Sequence, residues 1–236
     1  MADTIVESDG PPPLFALDSV HVEYPTPAGV VPAVEDVSFT VPATGLTVLA
    51  GPSGSGKSTL LRVLGLIDRH TTGSLSLSGR AMGGLSHQRR RALRRERVAM
   101  VFQSPPENLI AHLSVGQNLR AAAQSAGHTD ADPGILDWLG IPGTAHWRVG
   151  ALSGGQQQRL AFGCALARKS SVVLADEPTS QLDVVSAALV LDLIGRLAGR
   201  GVPVVAASHD DDLIDRADLV IHLREGRIVD IDRRTA

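Results

Sequence analysis

The segment from Gly51 to Ser58 constrains this chain most, because its sequence GPSGSGKS is a complete glycine-rich phosphate-binding loop. It follows the apolar run Thr47–Ala50, which predicts a buried strand. A strand, a glycine-rich turn and a helix together present backbone N–H groups and a positive helix end to phosphates. Lys57 can reach the β- and γ-phosphates and Ser58 can bind Mg²⁺. The predicted nucleotide-binding residues here are Gly51, Ser53, Gly54, Ser55, Gly56, Lys57, Ser58 and Thr59.

The composition of the 236-residue chain is that of an ordinary globular protein, with 43% hydrophobic and 20% charged residues. A net charge of −3 gives no overall basic field, so we expect no nucleic-acid partner. The single cysteine, Cys164, excludes an intramolecular disulfide framework and is typical of a reducing compartment. The longest apolar stretch, Val184–Leu191, is far shorter than a membrane span. We therefore expect a soluble protein that could still dock onto a membrane partner.

Two kinds of strand pattern predict an α/β fold. Residues 1–13 are expected to be a disordered leader, after which Leu14–Val22 and Val34–Val41 read as strands of a small antiparallel β-subdomain, separated by a segment rich in proline and glycine. Continuous apolar runs are typical of parallel strands covered on both faces. These runs are Val98–Phe102, Val172–Ala175, Val202–Ala207 and Leu219–Leu223.

Helical patterns separate the strands and complete the prediction. They cover Ser58–Leu66, Gln156–Arg168 and Ser186–Ala198. Residues 104–152 lack strand signals and carry leucines at helical spacing, which predicts an inserted helical subdomain. The expected architecture is a phosphate-loop NTPase core with a mainly parallel sheet, a flanking antiparallel β-subdomain and a helical insert. Residues 14–236 would then form a single domain.

A second motif identifies the kind of phosphate-loop protein. The sequence LSGGQQQR at Leu152–Arg159 precedes VVLADEPT at Val172–Thr179, which has the pattern of a strand that ends in two carboxylates. Both motifs, in this order, resemble those of ATP-binding cassette (ABC) ATPases, and the resemblance extends from Leu14 to Asp230. It implies an ATPase that uses ATP and Mg²⁺ and drives separate transmembrane permease subunits.

The resemblance also implies roles for residues at the ends of strands. Asp176 would hold Mg²⁺, and Glu177 would act as the general base for the attacking water. His209 would contact the γ-phosphate and fix Glu177, although a lone histidine at a strand end is usually structural. Gln103 would bind Mg²⁺ or the water and act as a hinge to the helical subdomain, or would be an ordinary polar residue at a strand end. Tyr24 would stack on adenine, or would pack on the antiparallel sheet.

The signature segment, Ser153–Gln156, precedes a predicted helix, so the N–H groups of Ser153, Gly154 and Gly155 can form another anion site. One chain cannot place both anion sites on the same nucleotide. In the family, the signature of one subunit closes over the phosphate loop of a second, which implies a head-to-tail dimer with Gln156 and Asp183 also near the nucleotide. The alternative for Ser-Gly-Gly is a plain flexible turn.

Partner and subfamily are inferred from the same resemblance. The sequence around these motifs is similar to that of bacterial ATPases of lipoprotein release, macrolide export and cell division. This similarity implies a role in export or mechanotransmission. It also implies a homodimer at the cytoplasmic face of the plasma membrane. The alternative is an ABC-type ATPase that regulates a non-transport process, such as cell-wall or division scaffolding or a DNA- or ribosome-associated role. The arginine-rich segment Arg89–Arg97 is interpreted as a solvated helix, with nucleic-acid or anionic-lipid binding as the other reading.

Overall fold

The computed structural model describes residues 12–27 and 29–234, and it contains ten strands and seven α-helices in those ranges. The leader predicted at residues 1–13 lies almost entirely outside the described residues. The strands are β1 (Phe15–Thr26), β2 (Gly29–Val41), β3 (Leu46–Ala50), β4 (Thr72–Leu77), β5 (Arg80–Ala81), β6 (Val98–Val101), β7 (Val172–Asp176), β8 (Val204–Ser208), β9 (Leu219–Arg224) and β10 (Arg227–Arg233). The helices are α1 (Lys57–Leu64), α2 (His87–Arg97), α3 (Val115–Ser125), α4 (Ile135–Trp138), α5 (Gly154–Ala167), α6 (Val184–Gly199) and α7 (Asp211–Asp215).

The central sheet has six strands in the order β10-β9-β3-β8-β7-β6. All its pairs are parallel except β9 with β10, and every residue of β3 and β8 is buried. The predicted mainly parallel sheet is therefore confirmed. Because parallel strands end at one edge, Ala50 pairs with Ser208, and Asp176 pairs with Ala207. This edge carries the groups considered below.

The second sheet is antiparallel and has the order β2-β1-β4-β5. The predicted gap between its first two strands is wrong, since β1 and β2 stay paired through Pro25 and Pro32 down to Thr26 and Gly29. Proline is tolerated there because β2 is an edge strand and because β1 pairs with β4 only up to His21. The strands β4 and β5 were not predicted from the sequence.

The segment 104–152 contains α3, α4 and single 3₁₀ turns at Pro105–Asn108 and Val149–Ala151. Helix α3 begins with a reciprocal capping box between Ser114 and Gln117. The buried side chains of this segment lie in the same apolar cluster as those of α5 and the central sheet. The predicted helical content is confirmed, and a separate subdomain stays a prediction.

None of the helices in residues 12–27 and 29–234 is long and apolar enough to cross a membrane. The arginine-rich segment forms α2, as interpreted, but not all of its side chains are solvated. Arg90 is buried and donates to the carbonyl of Asp68, and Arg94 donates to the carbonyl of Leu66 at 3.2 Å. Part of this basic cluster therefore holds the loop that follows α1.

Candidate functional site

The phosphate loop turns sharply between β3 and α1, and two of its glycines are fixed by their neighbours. Gly51 has a φ of 148°, and a Cβ atom there would lie 2.2 Å from the carbonyl oxygen of Leu223. Gly56 has a φ of 97°, and its Cβ atom would lie 2.7 Å from the carbonyl oxygen of Ala33. The loop is thus held between the end of β9 and the strand β2, and only glycine fits both positions.

A cleft of about 670 Å³ opens over this loop. Seven of the eight predicted loop residues line it, and the exception is Gly51, whose carbonyl oxygen instead accepts a bond from Lys57. The other walls are formed by Val31, Pro32, Ala33, Glu35, Gln103, Glu177, His209, Glu225 and Gly226. The sequence motifs identified the floor of the cleft, whereas the wall from β2 carries no motif and was missed.

Lys57 is nearly buried, with 5% of its surface exposed. Its ammonium group donates to the carbonyl oxygens of Gly51 at 2.7 Å and Pro52 at 3.0 Å. It also lies 3.5 Å from Oε1 of Glu177. The positive charge predicted for phosphate binding is therefore preorganised inside the loop and adjacent to the predicted base.

Ser58 and Asp176 come from different elements, α1 and β7, and meet at the edge of the sheet. The Ser58 hydroxyl donates to Oδ1 of Asp176 at 2.8 Å. Burial raises the pKa of the Asp176 carboxyl group, with Glu177 acting in the same direction, while the bond from Ser58 lowers it. Two oxygen ligands of this kind match what Mg²⁺ prefers in proteins.

Glu177 follows directly and has a left-handed backbone conformation, with a φ of 43°. Its N–H group donates to the carbonyl of Ala207 at 2.9 Å, which ties it to the neighbouring strand β8. Nδ1 of His209, the residue after β8, lies 3.0 Å from Oε2 of Glu177. His209 is 66% exposed, so its ring faces the open cleft while it contacts the carboxylate. The predicted pairing of Glu177 with His209 is present in the geometry.

Gln103 lies after β6 and lines the cleft, but its amide is directed to Ser180, which is not among the predicted site residues. Its Nε2 donates to the Ser180 hydroxyl at 3.0 Å, and that hydroxyl donates to the Glu177 carbonyl at 3.0 Å. Ser180 therefore connects Gln103 to the Glu177 backbone. Nearby, the Thr179 hydroxyl donates to Asp210 at 2.7 Å, which joins the turns after β7 and β8. A serine in a loop carries no chemical signal of such a link.

The signature segment lies at the start of α5, away from the cleft. Ser153 and Gln156 form a capping box in which the Gln156 N–H donates to Oγ of Ser153 at 3.2 Å and the Ser153 N–H donates to Oε1 of Gln156 at 2.9 Å. Gly155 packs against Ser186 of α6, and Asp183 caps α6 by accepting from the Ser186 N–H at 2.9 Å. The structure thus brings the signature segment and Asp183 together, and neither contributes to the cleft of the same chain.

Tyr24 is the remaining predicted residue and lies beside the cleft, on β1. It pairs across the hairpin with Val31, a cleft residue, and its hydroxyl donates to Oδ2 of Asp68 at 2.8 Å. Its ring is 38% exposed. The polar end of Tyr24 is therefore fixed, and its ring is accessible.

Comparison with known proteins agrees with this geometry. Residues 34–180 match the family model described as ABC transporter. The chain is 37% identical over 223 residues to the macrolide export ATP-binding/permease protein MacB of Hyphomonas neptunium, an alignment that covers 92% of this chain and 34% of that protein. It is also 35% identical over 209 residues to an uncharacterized ABC transporter ATP-binding protein of Thermotoga maritima, covering 86% of this chain and 88% of that one.

A solved structure of a dimeric ATP-binding cassette bound to ADP and Pi superposes with a TM-score of 0.81 at 27% identity, covering 94% of this chain and 99% of that one. The chain spans about a third of the length of the macrolide exporters that it matches. These matches confirm the predicted family and fold class. The chain belongs to the ABC transporter family and is an ATP-binding cassette of that family.

Proposed function

We propose that the chain hydrolyses ATP to ADP and phosphate in the cleft over Gly51–Ser58 and that this reaction drives a membrane export system. The observation that carries the proposal is the set of contacts at one sheet edge: Lys57 to Glu177, Glu177 to His209, and Ser58 to Asp176. These contacts bring an ammonium group, two carboxylates, an imidazole and a hydroxyl group around one space, which supports roles in phosphate binding, proton transfer and metal binding. Phosphoryl transfer needs little more than such positioning and electrostatic stabilisation.

The residues present fit a magnesium ion. Ser58 and Asp176 offer hard oxygen ligands 2.8 Å apart at the helix start where a triphosphate would lie, and Gln103, which also lines the cleft, could add its amide oxygen. When bound, Mg²⁺ would neutralise charge on the phosphate oxygens. That role also explains why a carboxylate with a raised pKa is retained at the end of β7.

Each side chain then has a definite task. Lys57 binds the β- and γ-phosphates, and the Glu177 carboxylate accepts a proton from the attacking water, a contribution of about 10²- to 10⁴-fold in rate. His209 orients Glu177 and contacts the γ-phosphate. Ser180, which bonds to both Gln103 and the Glu177 backbone, links the base to the segment that leads into residues 104–152.

We propose that the active form is a head-to-tail dimer of two copies. Ser153 and Gly154 are exposed, lie at the N-terminus of a 14-residue helix and do not line the cleft of their own chain. The N-terminus of such a helix favours the binding of an anion, because its free N–H groups and the helix dipole carry positive charge. The similar cassette bound to ADP and Pi is itself dimeric. The signature segment and Asp183 of one copy would thus close over the nucleotide of the other.

We further propose peripheral attachment, through transmembrane permease subunits, at the cytoplasmic face of the plasma membrane. A groove of about 430 Å³ is lined by residues of α2 and β6, by Ser125 at the end of α3, by Arg168 directly after α5, and by Phe102, the residue before Gln103. It offers a docking surface whose occupant could move Gln103.

Residues 14–236 would form one ATPase domain, with residues 104–152 as its helical subdomain. The export assignment is supported by the similarity of the chain to macrolide export ATP-binding/permease proteins. The alternative, regulation of a non-transport process, would use the same ATPase site.

The test is Glu177→Gln in the purified chain, with Glu96→Gln on the exposed surface of α2 as the matched control. We expect Glu177→Gln to bind ATP, to elute as a dimer in ATP and Mg²⁺, and to lose phosphate release by about 10²-fold or more. The control should keep the activity of the original chain. Hydrolysis at the original rate by Glu177→Gln would remove Glu177 as the base.

A further inference from the structure

A chain of polar contacts lies just outside the cleft and joins three residues that no catalytic step uses. The Asp68 carboxylate accepts from the Tyr24 hydroxyl at 2.8 Å and from Nε of Arg62 at 2.8 Å, both at Oδ2, while Nη2 of Arg62 donates to Oδ1 at 3.1 Å. Arg62 holds the pKa of the Asp68 carboxyl group below its ordinary value. Asp68 is therefore charged, held by a two-pronged contact with Arg62, and available to orient Tyr24.

The backbone at Asp68 is fixed as strongly as its side chain. The N–H groups of Ile67 and Asp68 both donate to the Arg62 carbonyl, at 2.9 and 3.3 Å. From the other side, Arg90 of α2 donates to the Asp68 carbonyl, and Arg94 donates to the Leu66 carbonyl at 3.2 Å. The loop that carries Asp68 is thus clamped between α1 and α2. Two residues of the basic cluster on α2, Arg90 and Arg94, therefore fix this loop.

Tyr24 connects this clamp to the cleft. Burial raises the pKa of Tyr24 most, its bond to Asp68 raises it further, and the Thr59 hydroxyl beside it acts in the opposite direction. Thr59 lines the cleft and belongs to α1, the helix that also carries Lys57, Ser58 and Arg62. On its other side, Tyr24 pairs with the cleft residue Val31. The tyrosine ring, on the antiparallel sheet, is therefore tied through Asp68 to the same helix that holds the phosphates.

We propose that Asp68, braced by Arg62, is a positioning residue that holds the Tyr24 ring as the platform for the nucleotide base at a fixed distance from the phosphate loop. The inference rests on the proposed function, because a nucleotide must be the ligand of the cleft. Stacking on an aromatic ring contributes more to binding when the ring is already ordered, because binding then does not have to offset the entropy cost of ordering it. The arrangement makes base binding and phosphate binding parts of one rigid unit, which favours whole nucleotides over free polyphosphates.

The experiment compares two ligands, ATP and inorganic tripolyphosphate, which lacks the base. Dissociation constants are measured for the original chain, Tyr24→Phe, Asp68→Ala and the double variant. Asp192→Ala, which removes the carboxylate of an exposed arginine–aspartate pair on α6, is the matched control. We expect Asp68→Ala to weaken ATP binding by about two- to tenfold, the range for ordering one side chain, with tripolyphosphate binding unchanged. Tyr24→Phe keeps the ring and should change ATP binding in the same direction.

The double variant should bind ATP no more weakly than the weaker single variant, since both changes break the same contact. Equal weakening of ATP and tripolyphosphate would overturn the proposal, because it would mean damage to the phosphate helix, and so would unchanged ATP affinity. If Asp68→Ala does not fold, Tyr24→Phe decides by the same two criteria. Failure of the original chain to bind either ligand would instead refute the proposed function, so the two failures are distinguishable.

Discussion

The Asp176 carboxylate serves ligand binding at a cost to the stability of the ligand-free protein. Burial raises the pKa of its carboxyl group above the ordinary value of 3.8. Below that value the group is protonated in both the folded and unfolded chains. As the pH rises, the unfolded chain releases this proton first, so the free energy of unfolding falls until the pH exceeds the folded pKa. At neutral pH the charge at Asp176 therefore destabilises the ligand-free protein.

Asp176→Asn should accordingly stabilise the ligand-free chain while abolishing Mg²⁺-dependent ATP hydrolysis. We expect the Tm of this variant to exceed that of the original chain at pH 8, and the gain to be smaller at pH 5. Thermal unfolding between pH 5 and pH 8 measures this change in Tm, with the exposed Asp192→Asn as control. A gain that grew toward low pH would contradict the assignment of a raised pKa.

At the scale of elements, the contact between α5 and α6 decides where the signature segment and Asp183 lie. Both helices begin at this contact, α5 with the Ser153 capping box and α6 with the Asp183 cap. The closest approach is at Gly155, where an added Cβ atom would lie 2.5 Å from both Cβ and Oγ of Ser186. Next to it, a Cβ atom at Gly154 would have no neighbour nearer than 3.9 Å. Helix packing therefore requires glycine at position 155 but not at position 154.

This difference gives a matched pair of variants. Gly155→Ala should force the two helix starts apart and lower the free energy of unfolding by about 1–3 kcal/mol, the usual cost of overpacking. Gly154→Ala adds the same methyl group at an ordinary van der Waals distance from Leu182 and should be neutral or stabilising by up to about 1 kcal/mol. Chemical denaturation of the nucleotide-free protein measures both values. Equal effects of the two variants would refute the role given to Gly155.

At the scale of the whole molecule, the signature segment lies outside the cleft of its own chain. Of the residues described at 12–27 and 29–234, those that line the cleft come from the phosphate loop, β2 and the strand ends, and none comes from α5. The anion site proposed at Ser153–Gly155 would therefore reach a nucleotide only in an assembly. A symmetric head-to-tail pair satisfies both sites at once.

Mixing two inactive variants tests this arrangement. Ser153→Arg should retain ATP binding by the monomer and lose hydrolysis, because it blocks the helix start and leaves the cleft intact. Lys57→Ala should lose ATP binding. An equimolar mixture should recover phosphate release, since a mixed dimer combines the intact cleft of one copy with the intact signature of the other. A mixture as inactive as its components would count against the composite site, and loss of ATP binding by Ser153→Arg would contradict its assignment to the partner's nucleotide.

The sequence by itself determined the chemistry and most of the core. GPSGSGKS, LSGGQ and the strand that ends in Asp176 and Glu177 are local patterns whose residue types are dictated by phosphate, metal and water ligands, so they could be interpreted without coordinates. The buried strands of the central sheet were predicted because strands covered on both faces read as continuous apolar runs. The proline-containing hairpin and strands β4 and β5 were not, because edge position and pairing decide whether such segments form strands.

Only the tertiary structure decided which of these groups meet. It joined Glu177 to His209 and turned Gln103 toward Ser180. It also anchored Tyr24 to Asp68, which is distant from it in the sequence and is itself braced by Arg62. It also separated the signature segment from the cleft of its own chain. The physical reason is that a side chain's chemistry is a property of its residue, whereas its partners depend on how the sheet order and the helix packing bring remote segments together.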